Sequence, residues 1–561
     1  MKRIVINRLF AAMFLTVAVV SCSKESQPLS PAPEPVVEEI KPVAKVINYS
    51  VSVKNGSSST KAIIDPDDPN QRRQVFATGD QLKISGTDIT GTLNLQSGAG
   101  TQSAQFVGTL QYTGSGDEPA PSLALSAILT NANDKRINNG YSNAISSSLS
   151  EAVEQFSNLT ATSTYGERTF NLTQGSTFIN FDLIAYGLDG SCTVTITDDN
   201  SYSLSGTVTV SDEKAVFTAS FAGGTTLVNP IVTITSGTKV IKRPFGSAST
   251  SLGTNKASKV TDKAPQIGDI YYSDGTWSRN RQTSGAQALG RIVYVNEGSS
   301  SLAPSGVTDA AQFADGVTEK VNGFGHALVI ANKDCPLTTN GIRWSQNNYH
   351  IRTSDSPAYE QGWFTASSLP DSEAEALRNQ LMLSSFDAIG KTDFMINNDN
   401  YKKYFAGAKI RNYTPAPASH VVASAWFMPT ISQWIASFIG LGGAPASEQF
   451  LFPIDGNYYH SASIYENFYS YSGSGEDDFK MPLNLADKSE YDNLDGNKNY
   501  NMNFYWSSTQ TAYDRVLCIG FINSTEHIGV ALAHHVKNRT REAQDGLAAA
   551  DGRSARAFLA F

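Results

Sequence analysis

Residues 46–53 alternate without a break, with Ile47, Tyr49, Val51 and Val53 on one face and Asn48, Ser50 and Ser52 on the other. A period of two is the mark of a strand with one face buried and one in water. Similar short runs return at 75–84, around Leu93, Phe106 and Leu125, and then over 178–185, 193–197, 203–210, 215–221 and 231–234. No long helical period interrupts them, so this part of the chain is expected to form two mainly antiparallel β-sandwiches, at 46–160 and 161–250. The abundance of Gly, Ser, Thr, Asn and Tyr agrees with a β-rich surface protein full of turns.

A second core is required further on. All six tryptophans, Trp277, Trp344, Trp363, Trp426, Trp434 and Trp506, lie beyond 246–266, a Ser, Thr, Lys and Gly-rich stretch expected to be a linker. Within 266–561 the clearest local signal is 423–441. There a strand is expected to end in Trp426-Phe427-Met428-Pro429 and turn directly into a helix. Thr430 and Gln433 have capping-box spacing, Ile431, Trp434, Ile435 and Phe438 share a helical face, and Gly440 supplies the stop. Strand patterns at 268–277, 290–295, 325–331, 504–509, 515–521, 529–533 and 555–561, with helical patterns at 371–385 and near 401–408, predict an α+β domain dominated by strands.

At 561 residues, the chain is long enough for three or four such units. Its net charge of -9 and the lack of a basic stripe argue against a nucleic-acid groove. At the N-terminus Lys2, Arg3 and Arg8 accompany an apolar run at 9–20 that is too short to span a membrane and reads as a signal sequence. It ends in Val19-Val20-Ser21-Cys22, which resembles the lipobox of bacterial lipoproteins. The resemblance implies that residues 1–21 are removed and that Cys22 carries the lipid, palmitate included, that anchors an exported protein to the outer membrane. Residues 22–45, with Pro28, Pro31, Pro33, Pro35 and Pro42, read as an extended tether. The other cysteines, Cys192, Cys335 and Cys518, are odd in number and fit no metal or redox spacing. Cys335 and Cys518 share a domain and are left open as either free or paired.

A lipoprotein signal, a tether, a strand leading to Thr60-Lys61-Ala62, and then the run from Phe76 through Gly79-Asp80 to Ile84 together resemble the start of fimbrillin-type pilus subunits. Thr177-Phe178-Ile179-Asn180-Phe181-Asp182-Leu183 is similar to the opening of their second sandwich. The likeness covers about 46–250. It implies cleavage after a basic residue, for which Lys61, Arg72 and Arg73 are the candidates. It also implies that the first strand is then replaced by a strand from another pilus subunit. The same basic residues read equally as solvated loop positions.

The order Trp426-Phe427-Met428-Pro429-Thr430 plus helix, then Tyr505-Trp506-Ser507-Ser508-Thr509, then a closing strand, resembles the C-type-lectin-like fold in its bacterial, formylglycine-generating-enzyme-like form, over about 266–561. That fold does not fix a function. The E-P-N, Q-P-D and W-N-D calcium-sugar motifs are absent from the sequence. His527, His534 and His535 read as solvated loop residues, and 492–497 lacks the spacing of a calcium loop. No metal, cofactor or catalytic set is therefore assigned, and no enzyme activity is expected. The candidate ligand-binding residues are Tyr458, Tyr459, Tyr465, Tyr469, Tyr471, Tyr491 and Tyr500 in a Ser, Gly and Asn-rich stretch, with Trp506 at its end. This is the composition of adaptable binding loops, although packing of the loop onto its own domain explains it as well. The expectation is a cell-surface adhesion protein of a fimbrium, a tip subunit whose last domain binds a glycan or protein ligand. Two alternatives are a surface lipoprotein that captures glycans for nutrient uptake and, from the enzyme class, a formylglycine-generating type of enzyme.

Overall fold

The protein is seen in a computed structural model that describes residues 43–55, 76, 78–131, 143–156, 159–253, 256–280, 286–296, 302–336, 383–397, 405–443, 490–492, 499–512, 515–523, 528–536 and 555–561, apart from Ser305, together with Glu373 and Gln380. It is mostly multistranded sheet with few helices. The expected signal, the tether up to residue 42, the cleavage positions and most of the tyrosine-rich stretch lie outside the described residues, and the tether's last residue, Lys45, opens the first strand.

Alternating residues form the first unit. Strands β1 (Lys45–Asn55), β2 (Asp80–Gly86), β3 (Ile89–Ser97), β4 (Ser103–Tyr112), β5 (Ala124–Asn131), β6 (Ala144–Ser146), β7 (Leu159–Thr164) and β8 (Thr169–Gln174) follow in sequence. All but β6 join a sheet in the order β1-β4-β3-β2-β5-β7-β8, which closes into a barrel. The closure is a finding that local patterns did not carry. Beyond Ser52 the first strand runs parallel to β8, from Ser52↔Thr169 to Asn55↔Leu172, while its other edge pairs antiparallel with β4 from Lys45 to Lys54. Tyr49, Val51 and Val53 point into the core with Phe106, Leu110, Phe170 and Leu172, as the alternation requires.

The expected boundary at 160 falls inside this barrel, because β7 and β8 are needed to complete it. Conversely, β6 and the helix Leu149–Phe156 precede β7 in sequence yet belong to the next unit. β6 pairs with β12, and Leu149 and Ala152 pack with Phe178. The second unit comprises β9 (Ser176–Ile184), β10 (Gly190–Thr197), β11 (Ser203–Ser211), β12 (Lys214–Ala222), β13 (Thr226–Val228), β14 (Ile231–Ser236), β15 (Lys239–Pro244), β16 (Ser249–Ser251) and β17 (Lys256–Thr261). Its main sheet runs β15-β14-β10-β11-β12-β9-β17, and β13 pairs with β16. The stretch expected as a linker thus contributes two strands. β17 lies parallel to β9, and its lysines are what an edge strand uses to deter further pairing.

The remaining described residues form two sheets, four α-helices and a short 3₁₀ helix at Lys320–Asn322. Strands β18 (Ile270–Tyr272), β19 (Trp277–Ser278), β20 (Ala288–Val295), β21 (Ala327–Ala331) and β26 (Phe558–Ala560) make one sheet, ordered β19-β18-β20-β21-β26. Strands β22 (Glu490–Asp492), β23 (Asn499–Ala512), β24 (Arg515–Asn523) and β25 (Ile528–Val536) form an antiparallel meander. The five-stranded sheet is buried on both faces. Leu328 and Ile330 meet Trp434 and Phe438 on one side, and Val329 meets Trp426 and Met428 on the other. The expected strand before the helix proves irregular. Phe427 makes a single bridge to Phe558, with N–H to O distances of 2.8 and 3.0 Å, and Pro429 has no N–H to continue the ladder. His534 and His535, read as loop residues, lie on β25 opposite Leu517 and Val516. Cys192, Cys335 and Cys518 are buried, and none of the three is in a disulfide.

The helix Ile431–Ile439 carries the capping box that its sequence implies. The Gln433 amide N–H donates to Thr430 Oγ1 (3.3 Å), and Thr430 N–H donates to Gln433 Oε1 (2.9 Å). The same glutamine then reaches beyond its helix. Its Nε2 donates to Val317 O (3.1 Å) and to Glu319 Oε1 (2.6 Å). Glu319 also accepts from Ala388 N–H (2.9 Å) at the start of the helix Ala388–Asn397 and from Asn322 Nδ2 (2.7 Å). One buried carboxylate thus ties three helix ends together, and its backbone sits at a φ of 60° to do so.

Burial pushes the Glu319 carboxyl up to about 7 despite the Ala388 and Asn322 donors, with the charge of Asp387 adding to the rise. A raised acid holds its proton longer folded than unfolded. Its contribution is therefore full below its ordinary value of 4.5 and is lost as pH rises through about 7. The whole span corresponds to about 3 kcal/mol at most. The Tm difference between wild type and Glu319→Gln should therefore fall steadily from pH 5 to pH 8 in thermal melts, and a constant difference would refute the assignment.

Candidate functional site

The slot that holds β1 and the joint between the second unit and the last each bring interacting side chains together across units or strands.

At the slot, β1 is gripped by the turn between β7 and β8. The Tyr49 ring stacks on Tyr165 with centroids 5.1 Å apart and planes 14° from parallel. Tyr49 OH donates to Tyr165 O (2.8 Å), and the Arg168 guanidinium lies 5.2 Å from the Tyr49 centroid and 5.9 Å from that of Tyr165. Ser52 N–H donates to Arg168 O (3.0 Å), so backbone and side chain are held at the same turn. That turn has supports of its own. Tyr165 N–H and Gly166 N–H each donate at 2.9 Å, to Leu123 O and Pro121 O, and Glu167 Oε2 accepts from Ser163 Oγ (3.0 Å). Burial pushes the Tyr49 phenol up to about 12, which keeps it a hydrogen-bond donor across the physiological range.

At the joint, the second unit supplies Tyr186, Glu213, Arg243 and Asp262, and the last supplies Tyr271, Trp277, His326 and Phe561. Tyr186 stacks on His326 at 3.6 Å, and His326 Nε2 lies 3.1 Å from Glu213 Oε2. The Arg243 guanidinium sits 4.3 Å from the Trp277 centroid, and its Nε donates to Asp262 Oδ2 (2.6 Å). Trp277 in turn stacks on Phe561 (5.7 Å) and Tyr186 (5.9 Å). The β15 edge is covered as well, since Val240 N–H donates to His420 O (2.9 Å). Gly187, at a φ of +70°, lies where a Cβ would come 2.5 Å from Val422 Cγ1, so only glycine fits this close approach. Asp212 and Glu213 both take left-handed φ values, 49° and 56°, at the tip of the β11–β12 hairpin. Two such non-glycine residues cost on the order of 1–2 kcal/mol each. The Gly187 N–H bond to Glu213 (3.1 Å) and the His326 contact help to hold the tip in place. The joint leaves a cavity of about 20 Å³, room for about one water, so it is a mount and not a ligand pocket.

Among the expected site residues, Cys22, Lys61, Arg72, Arg73, Tyr458, Tyr459, Tyr465, Tyr469 and Tyr471 lie outside the described residues. Tyr491 and Tyr500 stand directly opposite each other on β22 and β23, so the tyrosine-rich stretch rejoins the domain as a hairpin. Trp506 is a correction. It is 4% exposed among Met428, Cys518 and Leu559, and its role is packing. Tyr165, Arg168, Glu213, Arg243 and His326 escaped sequence reading altogether. The only local hint was the Gly166-Glu167-Arg168 turn after an aromatic, which does not say what the aromatic meets.

No family model and no curated protein matches the chain. Among solved structures, it is similar to a fimbrial protein from Bacteroides ovatus, with 11% identity and a TM-score of 0.23 over 92% of this chain and 100% of that one. It is also similar to a fimbrial assembly protein from Parabacteroides distasonis, with 9% identity and a TM-score of 0.22 over 39% of this chain and 91% of that one. At these values the likeness carries no argument about function.

Breaking the joint at its charged centre tests its rigidity. Arg243→Ala leaves Asp262 without its guanidinium and Trp277 without its cover, both at side chains only 15% exposed or partly buried. A loss of about 3 kcal/mol is expected. Calorimetry should show the transitions of the second and last units moving apart. A uniform shift of all transitions would contradict the joint.

Proposed function

We propose that this chain is a cell-surface adhesion protein of the fimbrial kind, assembled by strand exchange at the β1 slot, with its last domain presented outward to bind a ligand. One observation supports the assembly step above the rest. The strand that closes the barrel is joined to the remainder of the fold only through 56–75, and that segment contains Lys61, Arg72 and Arg73. A single cut there leaves β1 held by non-covalent contacts alone. Its departure opens two sheet edges and three side-chain positions at once, and such an edge accepts an incoming strand readily.

In this reading Cys22 carries the lipid during export to the outer membrane, and 22–45 holds the barrel away from it. The last domain takes the C-type-lectin-like form, and the tyrosine-rich stretch that rejoins at Tyr491 and Tyr500 forms its contact surface. The aromatic joint supports a tip position, because it fixes the last domain's direction relative to the sheet behind it. A domain of that size also obstructs further stacking on its side.

Two measurements test the two halves. N-terminal sequencing of subunits from surface filaments should find termini just after Lys61, Arg72 or Arg73. Filaments whose subunits all begin at Cys22 would sink the exchange step. Removal of residues 266–561 should abolish adhesion to mucin, matrix protein or other cells at least tenfold, and unchanged adhesion would sink the presentation step.

A further inference from the structure

The β1 slot does not treat all strands alike. Val51 and Val53 enter general apolar space in the barrel core, which any aliphatic side chain of similar size fills. The Tyr49 position is different, because three distinct chemical features converge there: an aromatic face from Tyr165, a cation from Arg168, and the carbonyl oxygen of Tyr165 accepting from a phenol. An aliphatic residue at this position leaves the carbonyl without its phenol and the ring without its stack.

The backbone of the pocket is also held by bonds that do not come from its occupant. The bonds from Tyr165 N–H to Leu123 O and from Gly166 N–H to Pro121 O come from outside β1, as does the Glu167 bond to Ser163. A site that keeps its shape when empty discriminates among ligands, since none of the binding energy is spent on forming it.

Resting on the strand-exchange reading, we infer that the Tyr165–Arg168 turn is the specificity-determining station of the slot. It selects an incoming strand of another subunit that bears a phenol-carrying aromatic residue two positions before a first aliphatic and four before a second. The direction of that strand is set by β1 itself, antiparallel to β4 and parallel to β8. Among the 23 tyrosines of this chain, only Tyr49 is followed by valine at both those positions. The tyrosine-valine-valine pattern thus occurs in this chain at β1 alone, and a donor other than the β1 of a second copy must bring a like pattern with it.

The full chain, carrying a single engineered protease site within 56–75 and then nicked there, provides the test. Fluorescent peptides with the sequence of Lys45–Asn55, unchanged or with Tyr49→Phe or Tyr49→Leu, are offered to it, and uptake is followed by anisotropy. The Phe peptide should bind about fivefold more weakly for want of one hydrogen bond, and the Leu peptide about 100-fold more weakly. Arg168→Ala in the nicked protein should weaken the Tyr peptide about threefold and leave the Leu peptide unchanged. The peptide series needs no change in the folded core, so it is decisive even if the Arg168 variant folds poorly. Equal uptake of all three peptides would overturn the station while leaving strand exchange intact. Failure of every peptide to enter a nicked barrel that has released its own strand would overturn the exchange reading and the station with it.

Discussion

Backbone groups at a sheet edge must find partners or water, and in the first unit every strand depends on how β1 meets that demand. It pairs with β4 along ten residues and with β8 along four, so it is the one strand that turns an open sheet into a barrel. The parallel seam with β8 is the shorter, and the Tyr165–Arg168 turn reinforces it just where the Ser52 N–H bond begins it. A strand held so completely would be a permanent fixture but for one fact of connectivity. Among the described residues it is the first strand, and the segment 56–75 joins it to the rest. Its pairing with β4 and β8 makes it necessary to the closed barrel, and the proposed exchange needs only one covalent link to be cut.

The second unit is built without β1. Its sheet takes β6 from the chain between β5 and β7, and β6 and β11 share one edge of β12. The helix Leu149–Phe156 then covers Phe178 on the neighbouring strand. The barrel and the second sheet are thus stitched by three crossings of the chain, from β5 to β6, from the helix to β7 and from β8 to β9, none of which involves β1. Opening the slot leaves those crossings in place. Further along, the joint fastens the second sheet to the last domain through rings and charges that also avoid β1. The strained Asp212–Glu213 tip belongs to this device, since a left-handed backbone at two successive non-glycine residues persists only where the surroundings hold it.

Much of this architecture was legible in the sequence because the signals involved are local. The alternation at Tyr49, Val51 and Val53 gave the buried face of β1 correctly, and the runs near Phe181, Val194, Val208, Phe217 and Ile234 each became a strand. Thr430 and Gln433 made the capping box that their spacing implied. What was missed depends on pairing over distance. Nothing in Ala144–Ser146 announces that it joins a sheet some seventy residues away, and nothing in Lys256–Thr261 distinguishes a lysine-rich edge strand from a linker. Trp506 was grouped with the tyrosine-rich stretch that it ends, but its position on β23 turns it into the core. Arg168, Glu213 and His326 are ordinary polar residues until the fold sets an aromatic ring or a charge beside them.

The contrast between Gln433 and Arg168 shows why a local motif can be read and a site cannot. Gln433 satisfies its own helix by a rule of spacing, and only its second bond, to Glu319, depends on the tertiary fold. Arg168 has no local rule to follow, since its guanidinium meets two rings, one of which lies more than a hundred residues earlier in the chain. A substitution at Gln433 therefore disturbs a buried scaffold that several helices share. One at Arg168, an exposed residue, would in the proposed exchange change what the slot prefers while leaving the barrel core as it was. Selection on assembly partners would act most freely at such a position, where altered preference costs little stability.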